Sequence, residues 1–241
     1  MTNRFMRTEK LLGAEAMENI KSTTVMVVGL GAVGGYALEA IARAGVGRLI
    51  LVDFDSFDET NINRQILALS STIGLKKTEV AYNRVKEINP DCVVEVKDMF
   101  VDASNIEDLL SLKPDFVVDA IDSIKPKCEL IAALIKNNIE FVSSMGAALK
   151  TDCLSIKMAN LNQTYNCPMA RSVRQGLKKL NTDLSKVYCV FSAEKCELNE
   201  NAIEKNEQGK KDILGSLPTI TAIFGLMMAN FVINKVAKKG S

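Results

Sequence analysis

The chain has 241 residues, with 30 Lys and Arg against 29 Asp and Glu and no histidine. A net charge of +1 excludes a global electrostatic pull toward nucleic acid or an anionic membrane, so any such affinity has to come from a local patch. The 47% hydrophobic share provides for one sizeable core, and six cysteines without paired short spacing exclude a disulfide scaffold or a zinc ribbon and read as reduced thiols.

Residues 1–22 form a charged arm, "MTNRFMRTEKLLG" onward, without the apolar centre of a signal peptide, so a cytoplasmic protein is expected. Five short runs rich in β-branched residues follow: "TTVMVVG" from Thr23, "GRLILVD" from Gly47, "CVVEVKD" from Cys92, "DFVVDA" from Asp115 and "EFVSSMG" from Glu140. Segments with helical periodicity, such as Ala37 to Ala44 and Lys77 to Ile88, separate them. That alternation predicts an α/β fold, a doubly wound and mainly parallel sheet of Rossmann type.

After this nucleotide-binding core at 23–150, the half at 151–241 reads as less regular. It holds the strand-like "CLSIKMA", a basic helix after Pro168, the strand-like "VYCVFS" and a polar stretch at 197–212 expected to be a mobile loop. The whole is expected to be one domain. From Leu217 to Val236 the chain is apolar and near the length of a membrane span, but Thr219, Thr221, Asn230 and Asn234 interrupt it. A buried or dimer-interface helix is the expectation, with no stable span and peripheral membrane association left open.

Gly29, Gly31 and Gly34 follow a strand and precede a helix, the context in which glycines let a backbone approach phosphate at a helix N-terminus. Asp53, ending the second strand, is placed to accept from a ribose hydroxyl. A hydride-transferring enzyme commonly moves its proton with histidine, lysine or tyrosine, and this chain has no histidine. It offers instead Arg64 in "NINRQ" and Lys77 at the next helix start, two cations suited to charge building on a triphosphate. Asp122, after "VVDA", falls near the switch point of the sheet, where a carboxylate could hold Mg²⁺. Taken singly, Arg64 and Lys77 also fit surface charges, and Asp122 a helix cap.

In order and spacing, "GLGAVGG", "DFDSFDETNINRQ", "IGLKKTEVA" and "DAIDS" resemble the adenylating domain of the ubiquitin-activating, ThiF and MoeB superfamily. The resemblance implies that a carboxylate attacks the α-phosphate of ATP with Mg²⁺, giving an acyl-adenylate. It implies that Asp53 binds ribose, that Asp55 joins the nucleotide site, that Asn61, Arg64 and Lys77 contact the phosphates, and that Asp122 serves the metal. "RFMRTEKLLG" is similar to an N-terminal helix of that superfamily. Its second arginine, here Arg7, would then reach the phosphates of the other subunit in a homodimer. As an alternative, Arg7 is an ordinary exposed helix residue.

Sulfur-carrier activators of the superfamily carry two CxxC pairs for zinc, whereas Cys153, Cys167, Cys189 and Cys196 form no such pairs, so no zinc is expected. "AIDSIKPKCELI" and "VYCVFSAEKC" resemble instead the tRNA threonylcarbamoyladenosine dehydratases, which adenylate the threonyl carboxylate of a modified adenosine and let it cyclise. The alternative is adenylation of the terminal glycine of a ubiquitin-like sulfur carrier; a nucleotide-binding scaffold without catalysis is a third. With near-zero net charge, tRNA would need a local footprint, and Arg171, Arg174 and Lys178 share one helical face. A solvated helix face explains them equally well. Cys189 is the thiol to watch for acyl transfer, although a buried structural cysteine is the simpler reading; a sulfur-transfer partner protein is left open separately.

Overall fold

The computed structural model describes residues 3–195, 203–204 and 213–238. Helices α1 (Met6–Leu12) and α2 (Ala14–Ser22) precede β1 (Thr24–Val28), α3 (Gly34–Ala44), β2 (Arg48–Asp53), α4 (Lys77–Ile88) and β3 (Val93–Asp98). Next come α5 (Ile106–Leu110), β4 (Phe116–Asp119), α6 (Ile124–Lys136), β5 (Glu140–Ser144), β6 (Ile156–Asn160), α7 (Pro168–Lys179) and β7 (Tyr188–Ser192). A two-residue pairing of β8 (Ile203–Glu204) with β9 (Ile213–Leu214) and the long helix α8 (Pro218–Ala237) end the chain. The mobile loop expected at 197–212, apart from β8, lies outside the described residues, as does Cys196.

β1, β2 and β4 are runs of Val, Leu, Ile, Met and Phe buried along almost their whole length, because helices cover both faces of the sheet they form. Its order is β3-β2-β1-β4-β5-β7-β6, parallel except for β6, which runs antiparallel to β7. The chain winds outward from β1 to β3 and then crosses back to β4, so the switch point lies between the carboxyl ends of β1 and β4. Alternate residues of each strand face opposite layers. Val25, Val27, Leu49, Leu51 and Val118 pack under α2, α3, α4 and α8. Met26, Val28, Ile50, Val52 and Val117 pack under α5, α6 and α7.

The less regular half read after residue 150 is not a separate layer. β7 pairs with β5 through Ser143↔Cys189 and Ser144↔Val190, and β6 closes that edge, so the sheet crosses the boundary. α8 is long and apolar enough to cross a membrane by length and composition, yet Ile220, Phe224, Met228, Ala229 and Val232 are buried in the first layer. Gly225 makes that packing possible. A Cβ there would collide with the Val33 carbonyl and stand 2.8 Å from Tyr36 Cβ, so α8 lies directly against the first turn of α3.

Candidate active site

The glycine loop leaves β1 at Gly29, which has φ +90° and donates its N–H to the Val52 carbonyl at 2.8 Å. A Cβ on Gly29 would stand 2.7 Å from the Ala120 carbonyl, and one on Gly34 would overlap the Gly29 carbonyl. The fold itself therefore demands both glycines. Gly31 is different: beside its missing Cβ there is only the Gln65 side chain, 3.8 Å away, which leaves the loop bare where a ligand would approach. α3 starts here without any side chain capping it, and although the Gly35 N–H is taken by the Gly31 carbonyl, its dipole makes this end suited to an anion.

Asp53 is buried at the end of β2. Its Oδ2 accepts from the Leu30 N–H at 2.6 Å and its Oδ1 from the Asp55 N–H at 2.9 Å. A carboxylate has about four lone-pair sites, so these bonds fix the glycine loop and still leave acceptor capacity for a ribose hydroxyl. Asp55 is half-exposed and pairs with the Lys77 ammonium at 3.1 Å. Lys77 itself is buried at the first residue of α4, with Phe57 beneath it at 6.0 Å. Sequence reasoning did not single out Phe54 and Phe100, which meet edge to face with centroids 5.0 Å apart, both about half exposed just beyond β2 and β3. Beside Asp53 they form an apolar platform of the kind a purine ring stacks on.

Between β2 and α4, Asp58 and Asn61 cap a short 3₁₀ turn reciprocally, the Asn61 Oδ1 accepting from the Asp58 N–H at 3.3 Å. Arg64 donates to the Thr60 carbonyl at 2.9 Å and to the Asn63 Oδ1 at 2.8 Å. Gln65 ends the "NINRQ" string, and nothing in the linear pattern distinguishes it. It is 7% exposed, and its Oε1 is, among the described residues, the buried side-chain polar atom without a hydrogen-bond partner. An unmatched buried acceptor is costly and fits a ligand hydroxyl or N–H, while the Nε2 of the same amide is the atom beside Gly31.

Across the switch point, the loop 120–123 faces the glycine loop through the contact of Ala120 with Gly29. Asp122 is exposed on that loop and its Oδ1 accepts from the Ser123 hydroxyl at 3.2 Å. Among the described residues no three His, Cys, Asp or Glu side chains converge. A divalent ion that keeps its waters and binds through one carboxylate plus substrate phosphates is still compatible with Asp122.

Five of the residues read from the sequence lie elsewhere. Arg7 is exposed on α1, whose start touches Gly45 and the Ile88 carbonyl through Phe5 and Arg4. Those are the far ends of α3 and α4, so Arg7 does not join Arg64 and Lys77 of its own chain. Arg171 and Lys178 are exposed on α7. Arg174, between them, turns inward and donates to the carbonyls of Leu161 and Thr164 at 3.2 and 3.0 Å, and to the Thr164 hydroxyl. The Cys189 thiol is buried in β7 against the Ala159 carbonyl, and burial raises its pKa to about 12, the opposite of an activated nucleophile.

Comparison with known proteins extends this geometry. The profile of the ThiF family matches residues 3–241. The chain is 37% identical to the tRNA threonylcarbamoyladenosine dehydratase of Bacillus subtilis (strain 168), over 99% of this chain and 96% of that protein. Two crystal structures of the E. coli tRNA N6-threonylcarbamoyladenosine dehydratase superpose on it at 35% identity. The complex with AMP gives a TM-score of 0.89, covering 98% of this chain and 95% of that one; the complex with ATP gives 0.88, covering 98% and 94%.

Proposed function

The chain belongs to the ThiF family, and from that premise we propose that it is an ATP-dependent tRNA threonylcarbamoyladenosine dehydratase. The observation that carries the reading is the convergence of the bare Gly31, the unmatched Gln65 amide, Lys77 and Asp122 on one sheet edge, in a chain that resembles the dehydratases over its whole length.

The reaction runs in two displacements. A carboxylate oxygen of the threonyl group attacks the α-phosphorus of ATP, and pyrophosphate leaves. A nitrogen of the same modified nucleoside then attacks the activated carbonyl carbon, AMP departs with the carboxylate oxygen, and the proton shed by the nitrogen passes to solvent. The second step is intramolecular, and such geometry can replace a strong base. The chain positions the reactants. The open N-terminus of α3 and the glycine loop take the phosphates, Asp53 the ribose and the Phe54–Phe100 pair the base. Lys77, with Arg64 swung out from Thr60, balances the charge that builds on the leaving phosphates. Mg²⁺, held through Asp122, would supply further neutralisation of that charge.

We extend the reading to a homodimer, because the place of Arg7 at the far end of α3 leaves a neighbouring subunit as its route to a phosphate. Any sulfur-transfer partner would have to act without Cys189, which is buried. The test is to supply ATP with threonylcarbamoylated tRNA and, separately, with a ubiquitin-like carrier ending in glycine. AMP and pyrophosphate release with the cyclised nucleoside in the tRNA arm is expected. Release in the carrier arm alone overturns the assignment.

A further inference from the structure

Lys127 is fully buried, at 0% exposure, on a helix where lysine would ordinarily face water. Its ammonium sits 2.7 Å from Oδ2 of Asp119 and 3.2 Å from the Ser143 hydroxyl, which itself donates to the same Oδ2 at 2.7 Å. All three groups are closed off from solvent. Asp119 and Ser143 are register partners on β4 and β5, and Lys127 reaches them from the first turn of α6. The other carboxylate oxygen, Oδ1, accepts from the Ile121 N–H at 3.1 Å. That bond shapes the loop 120–123, whose opposite side is pressed on Gly29 through the Ala120 carbonyl.

A buried ion pair is weak evidence of stabilisation, because desolvating two charges costs about what their attraction returns, and apolar pairs of similar volume often replace them without loss. Stability therefore does not account for a triad under the switch point. We propose that Asp119 is a positioning residue for the adenylation step: Lys127 and Ser143 hold Oδ2, which leaves Oδ1 turned to the Ile121 amide and sets the loop that carries Asp122 against the phosphate loop. Because all three groups are closed off from solvent, the triad would act through the loop and not by contact with a nucleotide. The proposal rests on the assignment above of Asp122 to the phosphates.

The test compares two double variants in AMP release with threonylcarbamoylated tRNA, using the wild-type protein as control. Asp119→Leu with Lys127→Met removes both charges and the acceptor for Ile121. Its thermal midpoint should fall modestly, because the Ile121 N–H and the Ser143 hydroxyl lose their acceptor, while kcat of the folded protein drops about 10²-fold, the scale of a 1 Å misplacement, and KM for ATP stays within about threefold. Asp119→Asn with Lys127→Met also removes the charges but keeps an Oδ1 acceptor, and it should recover at least tenfold of the lost kcat. Wild-type kcat in the Leu–Met variant, or equal loss in both, overturns the proposal. Should the Leu–Met variant fail to fold, Ser143→Ala replaces it. That variant leaves the ion pair intact and should lower kcat about tenfold at constant KM, the worth of one bond to a charged group; unchanged kcat there overturns the proposal equally. A wild-type control without AMP release defeats the functional assignment and not the triad.

Discussion

The Leu30 N–H donates to Oδ2 of Asp53 at 2.6 Å, so the residue expected to hold ribose also ties the glycine loop to the end of β2. The two tasks separate by mutation. Asp53→Ala removes an acceptor from a buried N–H and should lower stability by about 1–3 kcal/mol as well as raise KM for ATP. Asp53→Asn keeps an acceptor for Leu30 and should retain most of the stability while KM still rises. Thermal midpoints and ATP-dependent rates check both, and a wild-type midpoint in the Ala variant would show that the loop holds without this bond.

The strands were legible because each is a short β-branched run: "GRLILVD" becomes Arg48–Asp53 and "EFVSSMG" becomes Glu140–Ser144. α4 begins and ends where its periodicity did, at Lys77 and Ile88. What linear pattern could not carry is strand order. "VYCVFS" and "CLSIKMA" read as pieces of an irregular half, because only tertiary pairing of Ser144 with Val190 joins them to the main sheet. In the candidate site, residues in one string were legible as positions: Gly29 has no room for a Cβ and Lys77 opens α4. Lys127 was not, since a lysine among helical residues looks like a surface charge until β4 and β5 close over it. Arg174 shows the converse: helical spacing predicts a shared face with Arg171, but the turn at Leu161 supplies acceptors that draw it inward.

Glu39 on α3 bridges to α4. Arg84 binds both its carboxylate oxygens at 2.8 Å, and Arg43 adds a bond at 2.7 Å. Burial works to raise the Glu39 pKa, and the two arginines overcome it, holding the carboxyl below its ordinary 4.5. A depressed carboxyl contributes stability that is present above the unfolded value and is lost as pH falls through the folded one. Glu39→Gln should therefore cost about 1–3 kcal/mol at pH 7, and its gap from wild type should close as pH drops below 4.5. Urea midpoints of both proteins between neutral and acid pH measure this. A gap that persists in acid would locate the effect in packing.

Arg7 should act in trans. Subunits carrying Arg7→Ala are paired with subunits carrying Arg64→Ala, each inactive alone. In the mixed dimer one site regains both arginines and the other has neither, so random pairing restores about a quarter of wild-type activity. If subunit exchange is verified and activity stays at the level of the separate variants, the site is not shared between subunits.

The α7 helix offers a test with its own internal control. Arg171 and Lys178 are exposed, seven residues and so roughly 10 Å apart along the axis, a span two backbone phosphates can fill. Arg174 is committed to the Leu161 and Thr164 carbonyls. Each phosphate contact contributes close to one unit to the slope of log affinity against log salt. Arg171→Ala with Lys178→Ala should flatten the slope for tRNA by up to about two units and leave the thermal midpoint and KM for ATP unchanged. Arg174→Ala should do the reverse. It takes the Arg174 donor from the Thr164 carbonyl, while the Leu161 carbonyl keeps its bonds from the Thr164 N–H and hydroxyl, and should destabilise the protein by about 1–3 kcal/mol, with the slope kept in the fraction that stays folded. An unaltered slope in the double variant would mean that α7 meets only water and that tRNA is held by another surface.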